Sequence, residues 1–484
     1  MTPAPAATRS ARAVTLALQI LAAALAASIL AAALHDVSTA WDVWYYHLPF
    51  AARLAGVVPA EAYAWSARNQ GNYDGFPLLA ELLQGLFWRV TGRPESANLV
   101  AAGSLALYLW ALRREHAVPL HLGAIALLAI PLVQLHASAC YVDLPANLAA
   151  SLLVLKVIRL HTSPAPPPEH APLHLLALAG IAANMRFQLH PVVALALLVA
   201  APRLLPPLLR GPRRNLALVA VALPLAFYAP LANLVVHHNP YYPMRLSIAG
   251  LALPGREDPY SSAPAYLEHA PRALRWLYSV LEIGVRPLTE PRRWTIDQWM
   301  PEGSAGNRMG GFFGAYAVFH VALLAWLAAR GAPDPRDRRS PARRSALAFA
   351  GLTAVTAVLP QSHELRYYLY WMIVLVSLNL SLVGARPDAA RWAPALGAAC
   401  AVALGIVLAV TRAGYAYPSG STFAELVESK VDAALLARIR DGDRVCLSRE
   451  PWTFLYAARF HPPRRYAVRE TDGREACGDH RWEE

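Results

Sequence analysis

Twenty-two consecutive residues, Ala13 to Leu34, carry no charged side chain. A helix rises about 1.5 Å per residue, so a run of this length can cross the ~30 Å hydrocarbon core of a bilayer. Across all 484 residues, 56% are hydrophobic and only 16% charged, against about 25% charged in a typical soluble domain. The deficit points to a polytopic membrane protein, all-α in its spanning part. Arg9 and Arg12 precede the first run as they would in a signal peptide. The run exceeds the ~7–15 residues of a signal h-region, however, and reads as a retained anchor.

Eleven spans are expected, near residues 13–34, 96–112, 118–136, 144–160, 173–188, 191–205, 215–236, 312–329, 345–360, 367–384 and 393–411. The fifth and sixth are short and can merge into one re-entrant unit. Charge sets the orientation. With the N-terminus inside, Arg113 and Arg114, Lys156 and Arg159, Arg203 to Arg214, and "RGAPDPRDRRSPARR" (Arg330–Arg344) all fall on the cytoplasmic side. The short outer turn between His136 and Leu144 has no Lys or Arg. The net charge of +12 is therefore read as loop anchoring. No basic surface interleaved with aromatics and no nucleic-acid fold motif is present, so nucleic acid is not an expected partner.

"FPLLAELLQGLFWRVTG" (Phe76–Gly92) contains Glu81 and reads as an amphipathic helix lying on the outer surface, as does "VWYYHLPFAARLAG". The organisation expected is a transmembrane domain 1–411, with a first outer loop 35–95 and a long outer loop 237–311, and a small α/β tail 412–484. In the tail "DRVCLS" and "RRYAVRE" read as strands and "WTFLYAARF" as a helix. Cys446 and Cys477 lie in it and can pair in an oxidising compartment. Cys140 and Cys400 lie in apolar runs as packing residues. No Cys/His zinc spacing occurs.

This topology sends the unusual polar residues to one address. The first loop supplies Asp36, Asp42, His47, Asp74 and Glu81. "CYVDLP" adds Tyr141 and Asp143. "NMRFQLHP" adds Arg186, Gln188 and His190. "VVHHNPYYP" adds His237, His238, Asn239, Tyr241 and Tyr242. "QSHELRYYLYW" adds His363, Glu364, Arg366 and Tyr367. An ionisable residue within a span, such as Arg186, is costly and faces a cavity or a partner unless it snorkels. Arginines grip phosphate bidentately, and a nearby acid can take a proton from a hydroxyl. The combination suits a lipid phosphate meeting an alcohol at the membrane surface.

With "DVWYYHLPFAARL", "NYDGFPLLAELL", "YVD", "HNPYYP" and "HELRYY" in this order, the chain resembles the GT-C membrane glycosyltransferases. Within that class it is similar to bacterial relatives of the protein O-mannosyltransferases and of the lipid A aminoarabinose transferase. The resemblance implies about 11–13 transmembrane helices and transfer of a monosaccharide from a polyprenyl-phosphate donor on the periplasmic face of a bacterial inner membrane. The acceptor hydroxyl would belong to a lipid, glycan or protein. The family's essential aspartate, four residues before an aromatic, matches Asp42 and Tyr46, with Asp36 as the competing candidate. The second acid matches Asp143. The basic residue ending the fifth span, often Lys in relatives, is Arg186, and the Arg-Tyr pair before a late span is Arg366 and Tyr367. Some relatives carry a lysine in the second half of the first loop, which "NYDGFP" lacks.

The expected roles follow. Asp42 is the base and Asp143 the second acid. Arg186, Arg366 and Tyr367 hold the donor phosphate. Tyr46, His47, Glu81, His238, Asn239 and Tyr242 line the substrate. Asp143 with Glu81 or Asp42 can hold a divalent ion, Mg or Mn. Two other classes share the composition. An O-antigen polymerase or ligase would concentrate its chemistry in one late outer loop. A secondary transporter or flippase would place ionisable groups at mid-membrane in repeated halves.

Overall fold

The computed structural model describes residues 9–248, 250–257, 269–282, 311–330, 340–411, 418–471, 477 and 481–482. Much of the expected long outer loop and the core of the arginine-rich inner loop, 331–339, lie outside the described residues.

The chain begins with α1 (Arg9–His35). The first loop then folds into α2 (Leu48–Leu54), β1 (Tyr63–Ala64), α3 (Ala67–Gly75) and α4 (Leu79–Thr91). The apolar body follows: α5 (Leu99–His116), α6 (Leu120–Leu128), α7 (Pro131–Ala137), α8 (Asp143–Thr162), α9 (Ala171–Met185), α10 (His190–Arg210), α11 (Arg213–Ala226) and α12 (Tyr228–His237). A hairpin of β2 (Leu246–Ile248) and β3 (Leu251–Leu253) and the short α13 (Arg272–Leu281) precede α14 (Gly314–Arg330), α15 (Pro341–Val358), α16 (Tyr370–Gly384) and α17 (Ala389–Thr411). The tail contributes α18 (Phe423–Lys430), α19 (Ala433–Arg438), β4 (Arg444–Leu447), β5 (Ala467–Glu470) and β6 (Arg481–Trp482).

Every expected span coincides with a helix or a bent helix pair. Among the described residues four helices are long and apolar enough to cross a membrane, α1, α8, the stretch Phe187–Arg210 and Ala389–Ala409, or up to six if each bent pair is one span. The fifth and sixth expected spans are separate helices, broken at Arg186. The third is not one straight helix. α6 and α7 meet at 103°, and α11 and α12 at 62°. At the sharper bend Ile130 is extended and Pro131, which lacks an N–H, opens the next helix. A turn at membrane depth requires protein partners for the freed backbone groups, and they are present. Gln134 donates to the Leu128 carbonyl at 2.6 Å and Tyr316 to that of Ala126 at 2.9 Å. The Leu132 N–H reaches the Gly311 carbonyl at 3.0 Å.

α8 runs through the middle of the body, most of it buried, against α5, α9, α10 and α16. α4 is amphipathic with its apolar stripe outward. Leu82, Leu86, Phe87 and Val90 are exposed, while Glu81, Gln84, Gly85 and Trp88 are buried. That orientation suits a helix resting its apolar face in the membrane interface.

The first loop and the tail form one layer. β1 joins the tail's sheet, order β1-β5-β4-β6, all parallel, with Tyr63 opposite Val468. Trp44, Phe50, Tyr63, Trp88 and Tyr141 share an apolar core with Phe454, Tyr456 and Val468. Both Asp36 oxygens accept backbone N–H groups where the tail begins, from Ser419 at 2.6 Å and Gly420 at 2.9 Å. Cys446 and Cys477 are disulfide-bonded, closing a loop of 31 residues. The expected helix "WTFLYAARF" is two short 3₁₀ turns, Trp452–Tyr456 and Ala458–Phe460.

α2 and α4 cross so closely at Gly85 that a Cβ there would fall within the contact distance of the Ala51 carbonyl and Ala55. Gly85→Val should therefore destabilise the first loop by about 1–3 kcal/mol, the usual cost of overpacking. Thermal unfolding of the detergent-solubilised protein reads this directly. An unchanged midpoint would mean that the two helices part without cost.

Candidate active site

Asp42, Tyr46 and His47 come from a locally widened turn. The Leu48 N–H reaches the Val43 carbonyl, five residues back, in the π pattern that recurs at functional sites. Asp143 opens α8 and is fully buried. Arg186 sits where α9 stops, its backbone extended at φ −153° and ψ 123°. Arg366 and Tyr367 lie on the 3₁₀ turn Leu365–Tyr368, which leads into α16.

These four segments meet. Arg366 Nη1 donates to Asp42 Oδ2 at 2.9 Å, and its Nη2 donates to the Tyr367 hydroxyl at 3.3 Å. Arg186 Nη1 lies 3.3 Å from Asp143 Oδ1. Both guanidinium groups lie against the same ring: Arg186 is 4.3 Å and Arg366 5.0 Å from the centroid of Tyr367. Such cation–π contacts strengthen when desolvated. Beside them His47 Nδ1 and Glu81 Oε1 are 2.8 Å apart, both buried. Tyr141 joins the two groups. Its ring lies 5.5 Å from that of His47 and 5.7 Å from the Arg366 guanidinium, and it meets the buried His136 ring at 5.1 Å.

A cavity of about 190 Å³ lies beside this cluster, lined by Tyr46, His47, Glu81, Arg186, Gln188 and Tyr367 among others; Asp42, Asp143 and Arg366 are not part of its lining. Its outer wall includes Arg68 and Glu257, which pair at 2.7 Å between the first loop and the segment after β3.

Burial pushes the Asp42 carboxyl up. The Arg366 charge and hydrogen bond, with His47 and Arg186 adding to them, outweigh it, so the group sits below its ordinary value of 3.8. Burial, with the negative charge of Asp42 adding to it, raises the Tyr46 phenol well above 10.0. Asp42 is thus a carboxylate and Tyr46 a neutral hydroxyl throughout the physiological range.

The other expected residues are placed differently. Asn239 is buried and donates to the Met244 and Pro254 carbonyls, both at 2.7 Å. The Tyr242 ring stacks on His237 at 3.7 Å, and Tyr242 packs against Gly75. His238 is the exposed C-cap of α12, in the left-handed region at φ 55°. None of the three lines the cavity. Asn239 and Tyr242 instead hold the turn that brings Met244 and Glu257 over it. Asp74 accepts from Gln70 on the exposed side of α3.

The residues expected to hold a divalent ion each face a basic side chain. Glu81 is engaged by His47 and Asp143 faces Arg186. Among the described residues no group of three or more His, Cys, Asp or Glu side chains converges as a metal site.

Arg68, Met244 and Glu257 of the cavity lining had no place in the sequence expectations, and neither did Asn147. Asn147, one turn into α8, donates to the Asp143 carbonyl at 2.8 Å and the Arg366 carbonyl at 3.1 Å, and accepts from the Tyr370 N–H at 2.9 Å. It ties the strand of chain bearing Arg366 to the helix bearing Asp143. The signal was present as an amide inside the apolar run "DLPANLAASLLV".

No family model and no curated protein matches this chain. Among solved structures, ArnT from Cupriavidus metallidurans bound to undecaprenyl phosphate aligns over 96% of this chain and 86% of that one, with 13% identity and a TM-score of 0.49. The apo state of the same protein aligns over 95% and 90%, with 12% identity and a TM-score of 0.35.

Asn147→Leu removes the acceptor of a buried backbone N–H and both donations. A loss of about 1–3 kcal/mol is expected for the group left unsatisfied. The measurement is a thermal midpoint in detergent. An unchanged midpoint would show that these three bonds do not hold the two segments together.

Proposed function

We propose that the chain is an integral membrane glycosyltransferase. It would move one sugar from a polyprenyl-phosphate donor to an acceptor hydroxyl on the periplasmic face. The observation that carries this reading is the pair of guanidinium groups, Arg186 and Arg366, held against Tyr367 with a carboxylate on each and a cavity beside them.

Three features support the outer face. α8 carries Asp143 at its first residue and Lys156 and Arg159 towards its other end, so the site and the basic anchors occupy opposite ends of one helix. The tail is hydrogen-bonded to the first loop, so the two share a side. The Cys446–Cys477 disulfide suits an oxidising compartment.

In the proposed step the acceptor oxygen attacks the anomeric carbon of the sugar. The bond from that carbon to the phosphate oxygen breaks, and its electron pair leaves with the polyprenyl phosphate. The acceptor proton passes to Asp42. Attack opposite the leaving group inverts the anomeric centre. Arg186 and Arg366 would stabilise the negative charge that grows on the phosphate, a contribution that is often the largest in a partly dry site. Arg366 has a second consequence. While Arg366 Nη1 is held by Asp42 the carboxylate is a weak base; as that donor is shared with the incoming phosphate, the proton affinity of Asp42 would rise. General-base assistance of this kind is worth about 10²–10⁴-fold. Tyr46, which stays protonated, can donate to a sugar or phosphate oxygen.

Asp42→Asn should lower transfer by at least about 10²-fold with no change in the amount of folded protein in membranes, since the amide still accepts from Arg366. Full activity in that variant would remove Asp42 as the base. Arg186→Ala should raise the donor concentration needed for half-maximal rate far more than the acceptor concentration. Equal shifts in separate titrations would argue against a phosphate contact. Photolabelling with a polyprenyl-phosphate sugar, competed by unlabelled polyprenyl phosphate, tests the donor class independently.

The sign of the Asp42 shift fixes a pH behaviour. Its folded-state value lies below 3.8, so the stabilising ion pair is fully present above the unfolded value of about 3.9 and is lost only as pH falls through the folded one. In the free enzyme kcat/KM should show no acid limb from Asp42 above about pH 4. A limb centred near pH 6 that disappears in Asp42→Asn would contradict the pairing.

A further inference from the structure

α8, α10 and α15 leave a groove between them that the proposed reaction does not use. It encloses about 340 Å³, and its walls are aliphatic, among them Val154, Val157, Val192, Leu195, Leu352 and Val355. The polar lining residues are His161, Thr162 and Arg344. They gather at one end: Arg344 Nη1 donates to the His161 carbonyl at 3.0 Å, and His161 Nε2 lies 2.9 Å from the Val199 carbonyl. The side is open at Gly351, where an added Cβ would meet no atom within 4 Å.

The position excludes the donor of the proposed reaction. Asp143 opens α8 and Thr162 closes it, at the two ends of a 20-residue helix, which separates the polar end of the groove from the site end by about 30 Å. A lipid whose phosphate sits at Arg186 and Arg366 cannot place that phosphate at Arg344. Arg344 also lies in the first turn of α15, whose N-terminal end carries partial positive charge, and follows Arg343 directly. An aliphatic trough open to the bilayer, closed at one end by a guanidinium, matches an acyl chain below an anionic phosphate.

We infer that this groove is a site for an anionic phospholipid of the cytoplasmic leaflet, of the phosphatidylglycerol type, with one acyl chain between α8, α10 and α15 and the phosphate on Arg344. Basic pockets between helices on the cytoplasmic side bind anionic head groups, each cation near the surface contributing about a five-fold preference. The lipid would fill a groove that the protein's own side chains leave open.

The test uses the full chain in nanodiscs containing equal parts phosphatidylglycerol and phosphatidylcholine, extracted gently and examined by native mass spectrometry. The parent protein should retain phosphatidylglycerol in preference. Arg344→Gln should lower that preference about five-fold. Gly351→Phe, which fills open space and so should not disturb packing, should abolish retention of either lipid. Photolabelling with the polyprenyl-phosphate sugar should be unchanged in both variants, which separates failure of this site from failure of the transferase reading. The inference is overturned if Arg344→Gln keeps the parent's lipid ratio, if Gly351→Phe retains as much lipid, or if the retained species is polyprenyl phosphate.

Discussion

Two carboxylate–guanidinium pairs on one tyrosine ring hold this molecule's polar centre together. Asp42 meets Arg366 and Asp143 meets Arg186, with both cations against Tyr367. Taking four charges largely out of water is costly, and breaking a buried pair by removing one partner costs about 3–5 kcal/mol. Each partner sits on a different piece of chain: the first loop, the start of α8, the end of α9 and the turn before α16. The pairs therefore constrain four segments at once. Asn147 adds a neutral clamp between two of them, so the geometry of the charges is fixed by hydrogen bonds that carry no charge themselves.

The layer formed by the first loop and the tail gives that centre a rigid support. Parallel pairing of β1 with β5 draws a two-residue strand from residue 63 against one from residue 468. Glu470 extends the join, accepting from Asn69 at 2.8 Å, while Asn69 also donates to the Tyr45 carbonyl at 3.2 Å beside the turn that bears Asp42. A displacement of the tail would thus be felt at Tyr45. The disulfide fastens the β4 side of the same sheet.

The site was legible in the sequence where chemistry forced it to be. Acids and arginines at span ends have few inexpensive fates, and the topology sent Asp42, Asp143, Arg186 and Arg366 to a common side. What Asp36 does was not readable there, because its partners are the backbone N–H groups of residues 419 and 420, far along the chain. Nor was the break in the third span. Pro131 marks a possible kink, but a 103° turn depends on Gln134, Tyr316 and Gly311 supplying the missing hydrogen bonds. Asn239 and Tyr242 are polar residues whose visible contacts are local: Asn239 bonds the Met244 and Pro254 carbonyls, and Tyr242 stacks on His237.

Charge counting constrains how such a centre can hold a phosphate. Asp42, Asp143 and Glu81 face Arg186, Arg366 and His47. Three carboxyl groups thus stand against two guanidinium groups and one imidazole, with no excess of basic side chains. In the proposed reaction a phosphate would take hydrogen bonds from guanidinium groups that already serve carboxylates, so discrimination would come from the placement of donors and the flat face of Tyr367. Arginine suits that task better than lysine, because a planar fork can serve two oxygen acceptors in fixed directions at once. Under the proposed reaction the same sharing would link donor binding to the state of Asp42: the contact that holds the phosphate would be the one that relaxes the carboxylate. A centre with excess positive charge would bind the phosphate more tightly but would leave Asp42 as weak a base as before.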